Sequence, residues 1–456
     1  MSLTKYQEGS LKELLHVSFP LMLSSLSVLM MIFVDRVFML NYSVQAFNAV
    51  VNASTLGWSF IVGWLVLGSI SEVFVAQYNG SGKQHKLGEP VWQMLWAALF
   101  SIILFVPLGL YGGSYLFNAG YDMQMQLDYF RWMMIFGFSF PMYGALCGFF
   151  IGQGKVVVVT TLAVLANFVN GILDYILIYG IEGWVPSFGV NGAAVATCSS
   201  QLFQAIVLFG LFLSSNNRRS YNTDDYLFKW GPFKDCLRIG VPSAACVFTE
   251  ILAWAVYYQM MTEASPLHIT VAGISQSLIV VLYFFSEGLS KGVIAIVGNL
   301  IGGKKFGIIP KVISTAALLN GLFFIAIFIP LTFFTEQVFE LFLIGKAEVE
   351  ILQYGNALPL CLAMVSFYML FEGFRMIYAG VLTAAGDTKF LMITGATMIW
   401  IFVILPVKIL IIDGKGSIEL SQLITTIYAA IIFATVYWRY LRGNWQKITI
   451  TQTEGN

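Results

Sequence analysis

The first half of this chain is repeated in its second half, about 222 residues further on, within a series of twelve hydrophobic stretches. Residues 19–35 correspond to residues 241–257, and both segments carry a proline at their second position. Residues 75–83 likewise correspond to residues 297–305. Two equal membrane-embedded halves with a cleft between them can expose one central site to either side in turn. The duplication therefore predicts a transporter.

The composition is typical of an integral membrane protein. Of 456 residues, 58% are hydrophobic and 11% are charged, against roughly 25% charged in an ordinary soluble domain. Residues 91–117 and 312–334 contain no acidic or basic side chain. Apolar stretches above about 18 residues cross a bilayer as helices, because lipid offers backbone groups no hydrogen-bond partners. We therefore expect an all-α integral membrane fold.

Twelve transmembrane helices are expected, six in each half. The longest polar interruption, residues 214–232, separates two bundles, which we place at residues 1–220 and 221–456. Because six is an even number, the two six-helix repeats are parallel in the membrane. The helices are expected near residues 14–38, 45–77, 91–115, 123–151, 155–180, 190–215, 236–261, 266–298, 309–334, 350–380, 388–412 and 417–442.

The basic residues predict the orientation. Most of the 24 Lys and Arg residues lie at the termini and in the even-numbered loops, whereas the odd-numbered loops hold Lys346 and Lys415. The positive-inside rule then puts both termini in the cytoplasm. The N-terminus lacks a small-residue cleavage site, so we expect its first helix to stay in the membrane. We expect a multi-pass protein of the cell inner membrane.

Other function classes find little support in the residues. The formal net charge is zero, so no nucleic-acid partner is indicated. The five cysteines show no CxxC spacing, and no Walker or GxSxG motif is present. We therefore expect no enzyme activity and no cofactor, with an ion gradient as the energy source.

Acidic and amide side chains occur inside the helices of the first half. Each ionised group costs at least about 2.5–3.5 kcal/mol at the bilayer centre, so it should face a cavity or a partner. Asp35 continues a helical line through Met31, and Asp174 shares a helix face with Asn170. These groups could hold a proton or a small cation. For Asp35 the alternative is an interfacial ion pair with Arg36.

The second half combines glutamates with aromatic rings. Glu250 is followed at helical spacing by Trp254 and Tyr258, and Tyr368 precedes Glu372 by one turn. A carboxylate beside aromatic faces suits a lipophilic cation, since a cation–π contact contributes about 0.5–2 kcal/mol. One alternative is that the rings only pack against their neighbours. The other is that the glutamates form ion pairs with basic residues of their own helices. The pairs would be Glu372 with Arg375 and Glu287 with Lys291, at spacings of three and four.

Taken in order along the chain, these features resemble the multidrug and toxic compound extrusion (MATE) family of secondary transporters. Single pieces are weak, but the ordered set spans nearly the whole length. The pieces are Pro20 and Asp35, residues 76–80, residues 152–155, Asn170 and Asp174, residues 189–197, residues 240–242 before Glu250, residues 271–273 before Gln276, residues 297–298 and residues 386–388.

The resemblance implies two bundles around a V-shaped cavity. It implies export of cationic and other amphipathic drugs against an inward flow of H⁺ or Na⁺. We expect these small molecules and the lipid bilayer as partners, and we expect a monomer. It assigns ion coupling in the first half to Asp35, Asn170, Asp174 and Thr197. It assigns ion or substrate binding in the second half to Glu250, Gln276 and Glu372, with Na⁺ between the two glutamates. The expected substrate cavity adds Met31, Trp254, Tyr258, Tyr368, Arg375, Glu287 and Lys291.

The chain departs from the family pattern at several charges, and rival functions remain. Arg375 stands near the expected Na⁺ ligand Glu372, and Lys291 with Glu287 occupies a usually apolar stretch, so the coupling ion stays open. The closest rival is a lipid-linked oligosaccharide flippase of the same superfamily, favoured by Arg36, Lys291 and Arg375 but opposed by the four helix acids. A membrane-embedded acyltransferase would need a nucleophile with a base nearby. A passive channel would not need two matched halves.

Overall fold

The computed structural model describes residues 3–117, 123–335, 337 and 357–448, and this part of the chain is almost entirely helical. Eleven of its helices are long and apolar enough to cross a membrane. A bent pair, Met123–Ile135 and Ser139–Gly152, meets at 41° and makes a twelfth span when counted as one. The all-α membrane fold expected from the sequence is confirmed.

The twelve spans are numbered here in chain order. Those of the first half are α1 (Leu11–Tyr42), α2 (Val44–Ser69 and Ser71–Gly80), α3 (Gln84–Leu116), α4 (Met123–Ile135 and Ser139–Gly152), α5 (Val156–Tyr179) and α6 (Val190–Phe212). Those of the second half are α7 (Trp230–Ala264), α8 (Pro266–Gly302), α9 (Ile309–Phe333), α10 (Ala357–Ala385), α11 (Thr388–Asp413) and α12 (Ile418–Leu441).

Two helices differ from the expectation of unbroken spans. The expected helix over residues 123–151 is broken between Ile135 and Ser139. Pro141 explains this break, because proline has no backbone N–H and its ring clashes with the carbonyl group four residues earlier. The second span breaks at Ile70, where the Ser71 hydroxyl donates to the Ala145 carbonyl of α4 at 2.9 Å. The expected start of α10, residues 350–356, lies outside the described residues.

The two bundles touch at one end of the molecule and diverge toward the other, which leaves the V-shaped cavity. On α1 the buried residues lie mostly before residue 23, at the end that packs against α8. A Cβ on Gly80 would collide with the Asn299 backbone of α8, and a Cβ on Gly302 with the backbone of Gln77 in α2. Glycine at these positions lets the helices approach closely enough to seal this end. We call it the closed end.

The linker between the bundles is held against α3. Three side chains of α3 bond its backbone: Trp92 Nε1 donates to the Thr223 carbonyl at 2.8 Å, Trp96 Nε1 to the Tyr226 carbonyl at 2.9 Å, and Gln93 Nε2 to the Leu227 carbonyl at 3.1 Å. Lys229 then donates to Asp225 at 2.7 Å and to Glu89 of α3 at 3.1 Å. The hydrogen bond with Asp225 raises the pKa of the Lys229 amine. The linker therefore moves with the first bundle as far as Lys229.

Candidate functional site

Helices α1 and α5 lie side by side and run in the same direction. Hydrogen bonds join them at a nearly constant separation along the sequence, which fixes their register. The bonds run from Thr160 Oγ1 to the Pro20 carbonyl, from Asn167 Nδ2 to Ser27 Oγ and from the Tyr179 hydroxyl to the Phe38 carbonyl, each at 2.8 Å. This register brings Asp174 of α5 level with Asp35 of α1.

The two carboxyl groups face each other inside the first bundle. Asp174 and Asn170 are fully buried, and the Asp174 and Asp35 carboxyls lie close enough to share a hydrogen bond. Asp35 Oδ2 accepts from Thr197 Oγ1 of α6 at 3.4 Å, and Tyr129 of α4 lies beside Thr197. The structure therefore brings all four predicted first-half residues together.

No salt bridge neutralises this carboxyl pair in the described part of the chain, although Arg36 lies close enough to act on the charge of Asp35. Both oxygens of Asp174 and Oδ1 of Asp35 are buried without a hydrogen-bond donor there, and no salt bridge of Asp35 with Arg36 forms among those residues. Two ionised carboxylates in contact, away from water, are strongly unfavourable. One proton held between them supplies the missing donor and removes one charge. The pair is thus built to bind a proton or a small cation.

Helices α7 and α11 of the second half pair in the same way. Thr388 Oγ1 of α11 donates to the Ile239 carbonyl of α7 at 2.9 Å, in the role that Thr160 has in the first half. Glu250 lies further along α7 and accepts a weak bond from Cys246 Sγ at 3.7 Å. Gly395 of α11 makes room for it, since a Cβ there would lie 2.9 Å from Glu250 Oε1.

Glu372 is engaged by a base on its own helix. Arg375 Nε and Nη2 donate to its two carboxylate oxygens at 2.7 and 2.5 Å, and both side chains are largely buried. Glu250 is close enough to feel both charges. The residues therefore fit Na⁺ poorly: Arg375 already occupies both oxygens of one expected ligand. In the described part of the chain no group of three or more His, Cys, Asp or Glu side chains could hold a metal ion.

Four of the predicted cavity residues meet around a small aromatic pocket. Trp254 and Tyr258 of α7, Gln276 of α8 and Tyr368 of α10 all line it. The Trp254 ring lies edge-on to Tyr368, with ring centres 6.3 Å apart, and Tyr428 of α12 closes the cluster at 6.5 Å from Trp254. The pocket presents ring faces and an amide, but its volume of about 10 Å³ has room for about one water molecule, so it would have to widen to admit an organic cation.

The Glu287 and Lys291 side chains of α8 also form a pair. Lys291 Nζ donates to Glu287 Oε1 at 2.7 Å, and the two side chains are 41% and 37% exposed. They lie near Ser25 of α1 and Glu72 of α2, where the two bundles meet. Both predicted same-helix ion pairs are thus formed. The predicted cavity residue Met31 of α1 is partly exposed, one turn before Asp35.

Sequence reasoning missed three residues of these clusters. Tyr129 follows Asp128 in a mixed polar segment and resembles an ordinary interfacial residue. Tyr428 is one of many aromatic residues, and no charged residue stands close to it in the sequence. Glu72 lies near the expected C-terminal end of α2, yet only 6% of the residue is exposed. A charged residue within an expected helix was the available signal for Glu72.

Comparison with known proteins agrees with this architecture. The sequence profile of the MatE family matches residues 20–176 and again residues 242–408, so that the second match begins 222 residues after the first. The chain is 24% identical to the "Probable multidrug resistance protein NorM" of Thermotoga maritima, over 97% of this chain and 95% of that protein. It is 23% identical to the "Multidrug resistance protein MdtK" of Photorhabdus laumondii, over 86% and 85%.

A solved structure shares the fold. The crystal structure of MATE in complex with MaL6 superposes with a TM-score of 0.87 at 16% identity, and the match covers 97% of this chain and 98% of that one. Because the profile matches both halves of the chain, over more than half of its length, the chain belongs to the MatE family, the multidrug and toxic compound extrusion transporters.

Proposed function

We propose that this chain is a proton-coupled antiporter that exports amphipathic, mostly cationic compounds by alternating access. The observation that carries the proposal is the contact between Asp35 and Asp174, a carboxyl pair with buried oxygens that forms no salt bridge among the described residues. A proton satisfies such a pair better than an organic cation, because the site is narrow and enclosed by α1, α5 and α6. The ring faces around Trp254 would contact the exported compound once the pocket between them widens.

The exchange follows from competition between the two ligands. With both termini in the cytoplasm, as the basic residues predict, the closed end faces the cytoplasm and the cavity opens outward. A proton from outside binds at Asp35 and Asp174 and favours the turn of the bundles inward. A cationic compound bound in the cavity disfavours the proton, and by linkage the proton disfavours the compound equally. Export of the compound therefore returns the carboxyl pair to the outward-open state without a proton.

Sodium coupling and lipid-linked oligosaccharide transport have less support. A Na⁺ ion at Glu250 and Glu372 would have to displace Arg375 from both carboxylate oxygens of Glu372. A pyrophosphate group would need free basic residues in the cavity. Arg375 and Lys291 are each paired with a glutamate, which leaves Arg36 as the one of the three expected basic residues without a salt bridge among the described residues. These contacts favour proton-driven export over both rivals.

The proposal is tested by ethidium efflux from vesicles with separately imposed proton and sodium gradients. Export should follow the proton gradient and persist when the sodium gradient is collapsed. Asp174→Asn keeps the shape of the side chain but removes its titratable group, so it should abolish the proton dependence of export. Asp35→Asn should do the same.

The matched control is Asp128→Asn, an acid on α4 outside the carboxyl pair, which should export like the parent. Export by Asp35→Asn and Asp174→Asn at the parent rate, with the parent dependence on pH, would contradict the coupling role. Sodium-driven export that ignores the proton gradient would contradict the choice of ion.

A further inference from the structure

Glu72 is buried at the junction of the two bundles. It lies in the second helical piece of α2, Ser71–Gly80, which packs against α4 of its own bundle and against α8 of the other. Only 6% of the residue is exposed, and its Oε1 has no hydrogen-bond partner in the described part of the chain. An ionised carboxylate in that position would be a buried charge with one oxygen unsatisfied.

The cation that faces Glu72 is Lys291, on the opposite side of the bundle boundary. Its amine bonds Glu287 at 2.7 Å and not Glu72. From α4, Cys147 also faces Glu72, and Tyr143 stands behind that thiol. Helix α3, which packs on the same piece of α2, brings no charged group into electrostatic contact with Glu72 among the residues described.

Lys291 has a choice of two acids. Its side chain is 41% exposed and that of Glu287 is 37% exposed, so the pair can separate without disturbing the packed core. Glu72 cannot move in the same way, because the backbone around it packs tightly against Gly148 of α4. While Lys291 stays with Glu287, a proton is the partner that keeps Glu72 uncharged. When Lys291 turns to Glu72, the ammonium group replaces that proton.

We propose that Glu72 is a second proton site of the exchange cycle and that a cationic substrate empties it through Lys291. This inference rests on the proposed antiport. The positive charge of the substrate takes the place of Lys291 beside Glu287, and the released Lys291 amine bonds the Glu72 carboxylate. The O–H bond of Glu72 breaks and its proton passes to water in the cavity. One cation enters the cluster and one proton leaves it, so the net charge is unchanged.

The number of protons released per bound ethidium tests this directly. Ethidium is titrated into the purified full-length protein in nanodiscs, by calorimetry in two buffers of different ionisation enthalpy at one pH. Glu72→Gln should still bind ethidium but release about one proton fewer than the parent. In vesicles with a proton gradient of one pH unit, its steady-state ethidium gradient should fall about tenfold, since each coupled proton contributes one factor of ten.

A second variant reaches the same site without changing Glu72. Glu287→Gln combined with Lys291→Gln removes the pair as a neutral unit, so Glu72 keeps its proton whether or not ethidium is bound. This double variant should bind ethidium more weakly and should also release about one proton fewer than the parent. It tests the role of Glu72 if Glu72→Gln does not fold. Glu182→Gln, in an exposed loop, is the control and should release protons like the parent.

The outcomes separate this inference from the proposed function. Asp174→Asn should lower proton release independently, through the carboxyl pair. If Asp174→Asn lowers it while Glu72→Gln and the double variant release protons like the parent, the role of Glu72 is overturned and the antiport stands. If none of these variants changes the release, proton coupling itself is overturned.

Discussion

The acids inside this membrane protein divide into two kinds by their nearest partner. Glu372 is held by two donated hydrogen bonds from Arg375, so its charge is compensated within one helix. Asp174 and Asp35 meet each other without a salt bridge among the described residues, although Arg36 acts on the charge of Asp35. The first arrangement compensates its charge within the protein, whereas the second could accept a proton or a small cation, as the proposed function requires.

Arg375→Gln should therefore damage stability more than it damages the chemistry of transport. It leaves Glu372 as a buried, unpaired charge, and breaking one partner of such a pair costs about 3–5 kcal/mol. The apparent free energy of unfolding in detergent should fall by that amount. Replacing both residues, Glu372→Gln with Arg375→Gln, should recover most of the loss, since no charge is left unpaired. Equal losses in the single and double variants would contradict this account.

At the scale of single residues, the sequence identified most of the site residues but not which of them contact one another. Asp35 and Asp174 were recognised because charges are rare in apolar helices, and the pair of Glu287 and Lys291 because its spacing is local. The contact between Asp35 and Asp174 spans two helices, and nothing in either helix alone predicts it. Tyr129 was missed for the same reason: its importance comes only from the neighbours that α4 gives it.

At the scale of helices, the repeat produces two matching parallel pairs with different contents. Thr160 anchors α5 to α1, and Thr388 anchors α11 to α7. Further along, the first pair carries Asp35, whereas the residue that corresponds to it in the repeat is Tyr257, which is 2% exposed. The carboxyl pair is thus confined to the first bundle, whereas Glu250 in the second lies beside Cys246 and near the ion pair of Glu372 with Arg375.

Gly395→Ala tests how closely α11 must approach α7. The new Cβ would lie 2.6 Å from Cys246 Sγ and 2.9 Å from Glu250 Oε1, so these side chains must shift or the helices must separate. Such overpacking costs typically about 1–3 kcal/mol, and it should weaken ethidium binding by displacing Glu250. The control is Gly321→Ala in α9, where nothing lies within 4 Å of the new Cβ. The measurements are thermal unfolding and ethidium affinity, and equal behaviour of the two variants would refute the close-approach argument.

The sequence predicted the number of helices well and their interruptions poorly. Apolar length alone marks a membrane span, which is why twelve spans were found. The bend in α4 depends on Pro141, whose effect on a membrane helix is decided by what packs around the freed backbone groups. Helix pairing was also out of reach, because it depends on how side chains fit across two surfaces and not on either pattern by itself.

At the scale of the whole molecule, the closed end is formed by pairs of helices that each take one member from each bundle. Helix α1 packs on α8, and α2 packs on both α7 and α8. Glycines bring these helices close together, and one continuous hydrophobic core of both bundles, which includes Met22 of α1 and Leu289 of α8, lies at the junction. Opening this end must therefore separate part of that core. A rocking motion about this junction would open the closed end while leaving the register of α1 with α5, and of α7 with α11, unchanged.

A reversible cross-link between the bundles tests that motion. A Cβ on Gly63 of α2 would lie 3.9 Å from the Cβ of Ala244 in α7, within the range of about 3.5–4.5 Å that a disulfide requires. Gly63→Cys with Ala244→Cys should therefore oxidise readily and lock the closed end, so that ethidium export in vesicles stops and returns on reduction. The two single variants, treated with the same oxidant, control for Cys246, the one native cysteine that is not fully buried. Undiminished export by the fully cross-linked protein would mean that α2 and α7 stay together throughout the transport cycle. The two bundles would then have to separate along a different contact.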